Sequence, residues 1–183
     1  MGKIPPRILV AYASRAGTTL SIAEAIAETL STKGAQVEVL PVKEVRSLTP
    51  YQAVVAGSAI RGAKWLPEGL RFVEANREEL SQKPFAAFMV CITLAMKNGE
   101  QYRDRIKDWM DPVRQLVQPV SEGMFAGMLD FDRIPFSWNR LKMQASVAAG
   151  IFPPGDHRDW EAIRLWAEKI YPLLAAPIKG QTQ

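Results

Sequence analysis

The feature that most constrains this chain is a repeated alternation. Short apolar runs are each followed by a stretch patterned as a helix or a polar connection. Arg7-Ile8-Leu9-Val10-Ala11-Tyr12 is the first run, Gln36 to Leu40 the second and Ala53 to Ser58 the third. Phe85 to Cys91 is the fourth, and Val120 to Leu129 a weaker fifth, softened by Gly123 and Gly127. Four to eight apolar, partly β-branched residues bounded by turn signals read as strands buried on both faces. Between them, Leu20, Ala23, Ala27 and Leu30 recur at helical spacing, as do Leu70, Phe72, Val73 and Leu80 after Pro67.

Further helices are expected from about Gly99 to Gln115, with Ile106, Trp109, Met110, Val113 and Leu116 as the apolar face, from Pro135 to Ala149, and from Asp156 to Leu174. Gly34 is placed to end the first helix, Thr18 or Thr19 to cap its start, and Asp156 or Asp159 to cap the last. No strong helix is legible between the second and third strands, so Val45 to Tyr51 is either a short helical turn or an irregular crossover. Alternation of this kind argues for a parallel sheet with helices on both faces. With 183 residues, no internal repeat and no composition-defined linker, a single domain over residues 1–183 is expected.

Composition narrows the function classes. Hydrophobic residues make up 48% and charged residues 23%, an ordinary globular balance. No window approaches the roughly 20 apolar residues of a membrane-spanning helix. Met1 to Pro6 is too short and proline-broken for a signal peptide. Cys91 is the single cysteine, so the expected setting is a reducing cytoplasm. One His and one Cys cannot build a His/Cys zinc cluster, and no Gly-x-Ser-x-Gly elbow exists for a serine triad. The net charge of +4 suits anions. No dense Lys/Arg run interleaved with aromatics is present, which argues against nucleic acid.

In an open α/β sheet, ligands bind beyond the carboxyl ends of the strands. The first such place is Ser14-Arg15-Ala16-Gly17-Thr18-Thr19, between the first strand and first helix. Helix-start N–H groups and the helix dipole attract an anion there. Gly17 allows close backbone approach, the three hydroxyls can donate, and Arg15 carries positive charge. It is neither the triphosphate loop, which needs Gly-Lys-Ser/Thr, nor the Gly-x-Gly-x-x-Gly dinucleotide fingerprint. From these residues alone, an anion site and an ordinary strand-to-helix turn remain equally open.

"YASRAGTT" resembles the phosphate loop of the flavodoxins, and "GSAIRGAKW" (Gly57 to Trp65) resembles the loop beside their flavin ring. "GDHRDWEAIRLWAEKI" is similar to the last helix of a narrower group, the menaquinone-dependent protoporphyrinogen IX dehydrogenases. The resemblance implies a flavodoxin-like, doubly wound five-stranded parallel sheet of order 2-1-3-4-5 in three α/β/α layers, with FMN as cofactor. It assigns the phosphate to Ser14, Arg15, Ala16, Gly17, Thr18 and Thr19. It assigns the ring to Ser58, Ala59, Ile60, Arg61, Gly62 and Trp65, and to Thr93, Leu94 and Ala95 after the fourth strand. Trp65 has two open roles, a stacking lid on the ring or a hydrophobic anchor. No metal is implied.

The resemblance further implies protoporphyrinogen as electron donor and a quinone as acceptor. An FMN electron carrier that meets a redox partner protein, and a non-catalytic binding module, stay open beside it. The basic charge departs from the acidity of electron-carrier flavodoxins. Lys97, Arg103, Arg105 and Lys107 can meet substrate carboxylates, although Asp104 and Asp108 among them favour a solvated helix face. Phe131 to Met143 mixes aromatics with basic residues, and is either a cover over the sheet edge or a quinone-facing or peripheral membrane element at the inner membrane face. His157 is expected to be a surface or capping residue and Cys91 a buried small hydrophobe. Oligomeric state is not legible.

Overall fold

The computed structural model describes residues 4–97, 99–130 and 138–176. Five parallel strands form its sheet: β1 (Arg7–Ala13), β2 (Gln36–Pro41), β3 (Ala53–Arg61), β5 (Phe85–Cys91) and β6 (Ser121–Ala126). Their spatial order is β2-β1-β3-β5-β6, with every neighbouring pair parallel. In terms of these five strands this is the expected 2-1-3-4-5. A sixth, β4 (Lys64–Trp65), turns back antiparallel on the end of β3.

The period of two along each strand sorts side chains to opposite faces. Ile8, Val10, Val55, Ala86 and Phe88 pack on one side with α1 (Thr18–Thr32) and α7 (Trp160–Leu174). Leu9, Val54, Ala56, Phe85 and Met89 pack on the other. That second layer consists of α2 (Pro67–Ala75), α3 (Arg77–Ser81), α4 (Arg103–Lys107) and α5 (Asp111–Leu116), through Phe72, Val73, Leu80, Ile106 and Val113. Ile22, Ile26 and Leu30 of α1 are fully buried. Each contributes roughly 1.5–3 kcal/mol by leaving water, which fixes this helix, and therefore its N-terminus, firmly on the sheet.

One contact in the sheet leaves no room for a side chain. Gly57 on β3 lies beside Phe88 on β5, and a Cβ built on Gly57 would stand 2.0 Å from the ring. Only glycine lets the large ring of Phe88 lie flat across the sheet, where it meets Phe125 and Trp166 at centroid distances of 6.1 and 6.2 Å.

Several expectations need correction. The helix expected from Gly99 to Gln115 is broken into a 3-10 turn (Gly99–Tyr102), α4, a second 3-10 turn (Asp108–Met110) and α5. Pro112 explains the break: it has no N–H, and its ring collides with the carbonyl four residues earlier, at Asp108. Its apolar face is as expected, with Ile106, Met110 and Val113 fully buried. Of the two readings open for Val45 to Tyr51, the irregular connection is the one observed, preceded by a 3-10 turn at Val42–Glu44. Lys83 pins that chain by donating to the carbonyls of Leu48 (2.9 Å) and Tyr51 (3.0 Å).

Residues 59–65, expected as a loop, are a tight hairpin. Ile60 pairs with Trp65 and Arg61 with Lys64. Gly62 (φ 57°) and Ala63 (φ 61°) both take the left-handed conformation that a two-residue primed turn requires.

After β6 the chain makes an excursion. It leaves through β7 (Met128–Leu129) and returns through β8 (Gly155–Asp156), which pair antiparallel. Between them lies α6 (Trp138–Ala148). The helix expected from Pro135 to Ala149 is therefore described from Trp138, and the start of the expected Phe131–Met143 segment, residues 131–137, lies outside the described residues. The last helix starts at Trp160, and of its two expected caps Asp159 acts, its carboxylate accepting from the Ala162 N–H at 2.9 Å. Among the described residues no helix is long and apolar enough to cross a membrane.

Candidate functional site

A cavity of about 640 Å³ opens at the carboxyl ends of β1, β3 and β5. Two of its walls come from residues assigned from the sequence, and a third lies just before the assigned Thr93 to Ala95. Ser14, Arg15, Ala16, Thr18 and Thr19 form one side and Ala59, Ile60 and Arg61 another. Val90, Cys91 and Ile92 form the third, at the end of β5.

The turn into α1 differs from the expected threonine cap. Gly17 is the N-cap, left-handed at φ 81°, and no side chain caps the helix. A left-handed cap residue suits glycine, which has no Cβ to clash. Ser14 Oγ accepts from the Gly17 N–H at 3.0 Å and so holds the turn closed. Thr18 and Thr19 thus fall inside the first turn. The first N–H groups of that turn have no partner within the helix, and Thr18 and Thr19, which carry two of them, line the cavity.

Two buried side-chain polar atoms have no hydrogen-bond partner among the described residues, Nε1 of Trp65 and Oγ1 of Thr19, and of these two residues the one that lines the cavity is Thr19. It is fully buried, and among the described residues its hydroxyl oxygen has no hydrogen-bond partner. Leaving a buried hydroxyl unpaired costs about 1–3 kcal/mol. Here the orphaned group lies at the cavity wall and at the positive end of the 15-residue α1. A donor set of this kind suits an anionic group. Arg15 adds charge at the rim and is bound to Glu68 of α2 at 3.2 Å, which ties the loop to the helix after β4. That pair is exposed and worth at most about 1 kcal/mol.

The other residues assigned from the sequence lie elsewhere. Ser58 is buried beneath the cavity, its hydroxyl accepting from the Leu66 N–H at 3.0 Å and donating to the Ala59 carbonyl at 2.9 Å. Gly62 forms the hairpin tip. Trp65 is 4% exposed, packs in the core and is not among the lining residues. Thr93, Leu94 and Ala95 form a 3-10 turn with Ile92, and of these four Ile92 alone is a lining residue. Lys97, Arg103, Arg105 and Lys107 do not line the cavity, and Lys107 pairs with Asp104 at 2.8 Å on the helix surface.

The fourth wall was missed. It consists of Gly127, Met128 and Leu129 with Lys142, Met143 and Ser146 of α6. Only the basic, apolar character of the stretch ending at Met143 hinted at it. Instead of merely covering the sheet edge, α6 places side chains in the cavity. Arg15, Arg61 and Lys142 give the lining three cations and no carboxylate. Among the described residues Arg61 and Lys142 have no ion-pair partner.

Cys91 lies at the floor, 4% exposed. Burial pushes its thiol up to about 11, partly offset by backbone hydrogen bonds at Leu94 and Thr93. It is therefore a neutral thiol at pH 7, not a nucleophile. His157 is half-buried outside the cavity, its Nε2 lying 3.2 Å from the carbonyls of Pro153 and Pro154. Among the described residues no group of three His, Cys, Asp or Glu side chains could hold a metal.

A family model described as "Flavodoxin domain" matches residues 9–150, which contain every lining residue named above. The chain belongs to the flavodoxin-domain family. Among solved structures, it is similar to a flavodoxin from Streptococcus pneumonia TIGR4 (TM-score 0.58, 16% identity), covering 91% of this chain and 98% of that one. A flavodoxin mutant from Pseudomonas aeruginosa is equally similar (TM-score 0.58, 15% identity), covering 93% and 99%. At such identities the likeness is one of fold. A curated relative, the protoporphyrinogen IX dehydrogenase [quinone] of Leishmania major, is 26% identical over 186 residues, 97% of this chain and 80% of the relative. That match extends past residue 150 through the excursion and α7, beyond the part the domain model covers.

Proposed function

We propose that this flavodoxin-domain protein binds FMN and oxidises protoporphyrinogen IX, passing the electrons to a quinone. The observation that carries the cofactor is the buried, unpartnered hydroxyl of Thr19 beside the uncapped N-terminus of α1. Domain membership and the cationic lining support it. The donor and acceptor rest on the likeness to the Leishmania major enzyme, which extends over 97% of this chain and 80% of that protein.

FMN, when bound, supplies a ring that takes up and releases electrons. The protein's own part is binding, orientation and exclusion of water. Thr19 Oγ1 and the first N–H groups of α1 would hold the phosphate, with the helix dipole adding attraction. Gly17 keeps Cβ atoms away from that turn, and Arg15 contributes charge from the rim. Ile60, Leu66, Val90 and Met128 present apolar surface to the rest of the cavity and keep its dielectric low. Arg61 and Lys142 present positive charge to a carboxylate-bearing donor. The neutral Cys91 thiol leaves the floor chemically quiet.

The test is direct. Apo-protein titrated with FMN should quench flavin fluorescence, and riboflavin, which lacks the phosphate, should bind at least tenfold more weakly by the loss of charge-assisted hydrogen bonds. Equal affinity for the two flavins would overturn the phosphate site. Under anaerobic conditions the loaded protein should then be bleached by protoporphyrinogen IX and recoloured by a menaquinone analogue. Tight FMN binding with no bleaching would remove the proposed donor and leave an electron carrier.

A further inference from the structure

Arg158, two residues before α7, is not itself a lining residue of the cavity, yet it contacts elements on two of its sides. Its Nε and one terminal nitrogen donate to Asp156 of β8 at 2.7 and 2.5 Å. Its other terminal nitrogen donates to Ser21 Oγ of α1 at 2.6 Å. The guanidinium also lies 3.8 Å from the sulfur of Met128 and 4.4 Å over the ring of Trp160. The side chain is 13% exposed, and Asp156 is held below its usual range mainly by this hydrogen bonding.

Two further bonds carry these contacts to the cavity wall. Ser21 Oγ donates to the carbonyl of Thr18 at 2.9 Å, and Thr18 is a lining residue in the first turn of α1. On the other side, Asp156 pairs in the ribbon with Met128, and the neighbouring His157 N–H donates to the Gly127 carbonyl at 3.2 Å. Gly127 and Met128 both line the cavity, and α6 hangs from the ribbon they begin. A continuous path therefore runs Met128–Asp156–Arg158–Ser21–Thr18. It links the wall missed by the sequence to the helix start where an anion would sit. Every link is a hydrogen bond, a ladder pair or a charge-assisted fork, and the planar guanidinium can serve Asp156 and Ser21 together. Lysine, a point charge, can keep the first partner but cannot hold both in this geometry.

We propose that Arg158 is a positioning residue for the cofactor cavity: it sets the spacing between the Gly127–Leu129 wall and the first turn of α1, and so tunes how tightly the phosphate end of the flavin is held. This rests on the FMN proposal above. The experiment compares Arg158→Ala, Arg158→Lys, Ser21→Ala and the Arg158→Ala/Ser21→Ala pair at a temperature where each is folded. FMN affinity should fall about tenfold in Arg158→Ala and in Ser21→Ala, the loss of one hydrogen bond to a charged group. The pair should lose little more than either alone, as members of one network do. Arg158→Lys should recover much of the lost melting temperature but not the affinity.

Lower melting temperatures with unchanged FMN affinity would show a merely structural brace and overturn the proposal, as would full additivity in the double variant. Hydrogen exchange in the absence of FMN gives an arm independent of the cofactor. In Arg158→Ala, protection should drop together at residues 21–24, whose N–H groups are the first bonded in α1, and at 127–129. A drop on one side only would overturn the coupling. If the unmodified protein fails to bind FMN, the cofactor proposal falls while the exchange result still decides the brace. Should Arg158→Ala not fold, Arg158→Lys and Ser21→Ala carry the same comparisons.

Discussion

Replacing Thr19 with valine should move stability and ligand affinity in opposite directions. Valine has nearly the shape of threonine and differs by exchanging the hydroxyl for a methyl. The Thr19 side chain is fully buried with no partner for Oγ1 among the described residues, so the folded apo-protein carries the desolvation cost of that oxygen without return. The cost is about 1–3 kcal/mol, and the change should raise stability by that amount. For a domain of this size, 1 kcal/mol shifts the melting temperature by about 2–4 °C, so Thr19→Val should melt roughly 2–12 °C higher. Helix propensity does not confound the result, because Val and Thr rank together. With FMN present the sign reverses. The hydroxyl would then donate to a charged phosphate, worth about 1.5–3 kcal/mol, and its loss should weaken binding roughly tenfold to hundredfold. Thermal unfolding of the apo-protein and fluorescence titration with FMN read the two effects separately. A destabilised apo variant would show that Oγ1 is satisfied in solution, and an unchanged FMN affinity would show that it does not face the phosphate. Either would refute the reasoning.

Other outcomes follow from the same geometry. Gly57→Ala should be severely destabilised, by about 3 kcal/mol or more, because its Cβ would overlap the Phe88 ring at 2.0 Å; Gly57→Ala combined with Phe88→Leu should recover part of the loss in a denaturant melt. Cys91 should resist thiol reagents in the folded protein up to about pH 10, since burial raises its thiol to about 11, and should react at once in denaturant. Asp156 has a folded-state pKa below its unfolded value, so its pairing with Arg158 stabilises the protein above the unfolded pKa and is lost as pH falls through the folded one. Acid titration should therefore loosen the β7–β8 ribbon below about pH 4, near the ordinary aspartate value, and Asp156→Asn should flatten that part of the stability profile.

The sheet was legible because its strands are buried on both faces and so appear as unbroken apolar runs such as Phe85 to Cys91. The loop at Ser14 to Thr19 was legible as a kind of place, a hydroxyl-rich junction after the first strand. Its working detail was not. Gly17 rather than a threonine caps α1 because the turn needs a left-handed residue, and this is what leaves Thr19 Oγ1 without a partner. Apolar periodicity found the buried face of the segment from Gly99 to Leu116 but passed over Pro112, whose local effect on the backbone outweighs the pattern. Two-residue strands such as β7 and β8 carry too little sequence to show a period. Lys142 and Met143 could not be placed at the cavity from sequence, since their position depends on how the excursion folds back across the sheet end.

That excursion leaves and re-enters the sheet layer through directly paired residues, Met128 with Asp156 and Leu129 with Gly155. Its two ends are therefore held at a fixed separation whatever lies between them. Chain inserted or exchanged between Leu129 and Gly155 would leave the strand order, the α1 turn and the packing of α7 where they are. The first turn of α1 and the stretch between Leu129 and Gly155 thus reach the same cavity from separate parts of the chain. Grafting a different stretch onto these two strands would change Lys142, Met143 and Ser146 at the cavity without touching the five-stranded sheet.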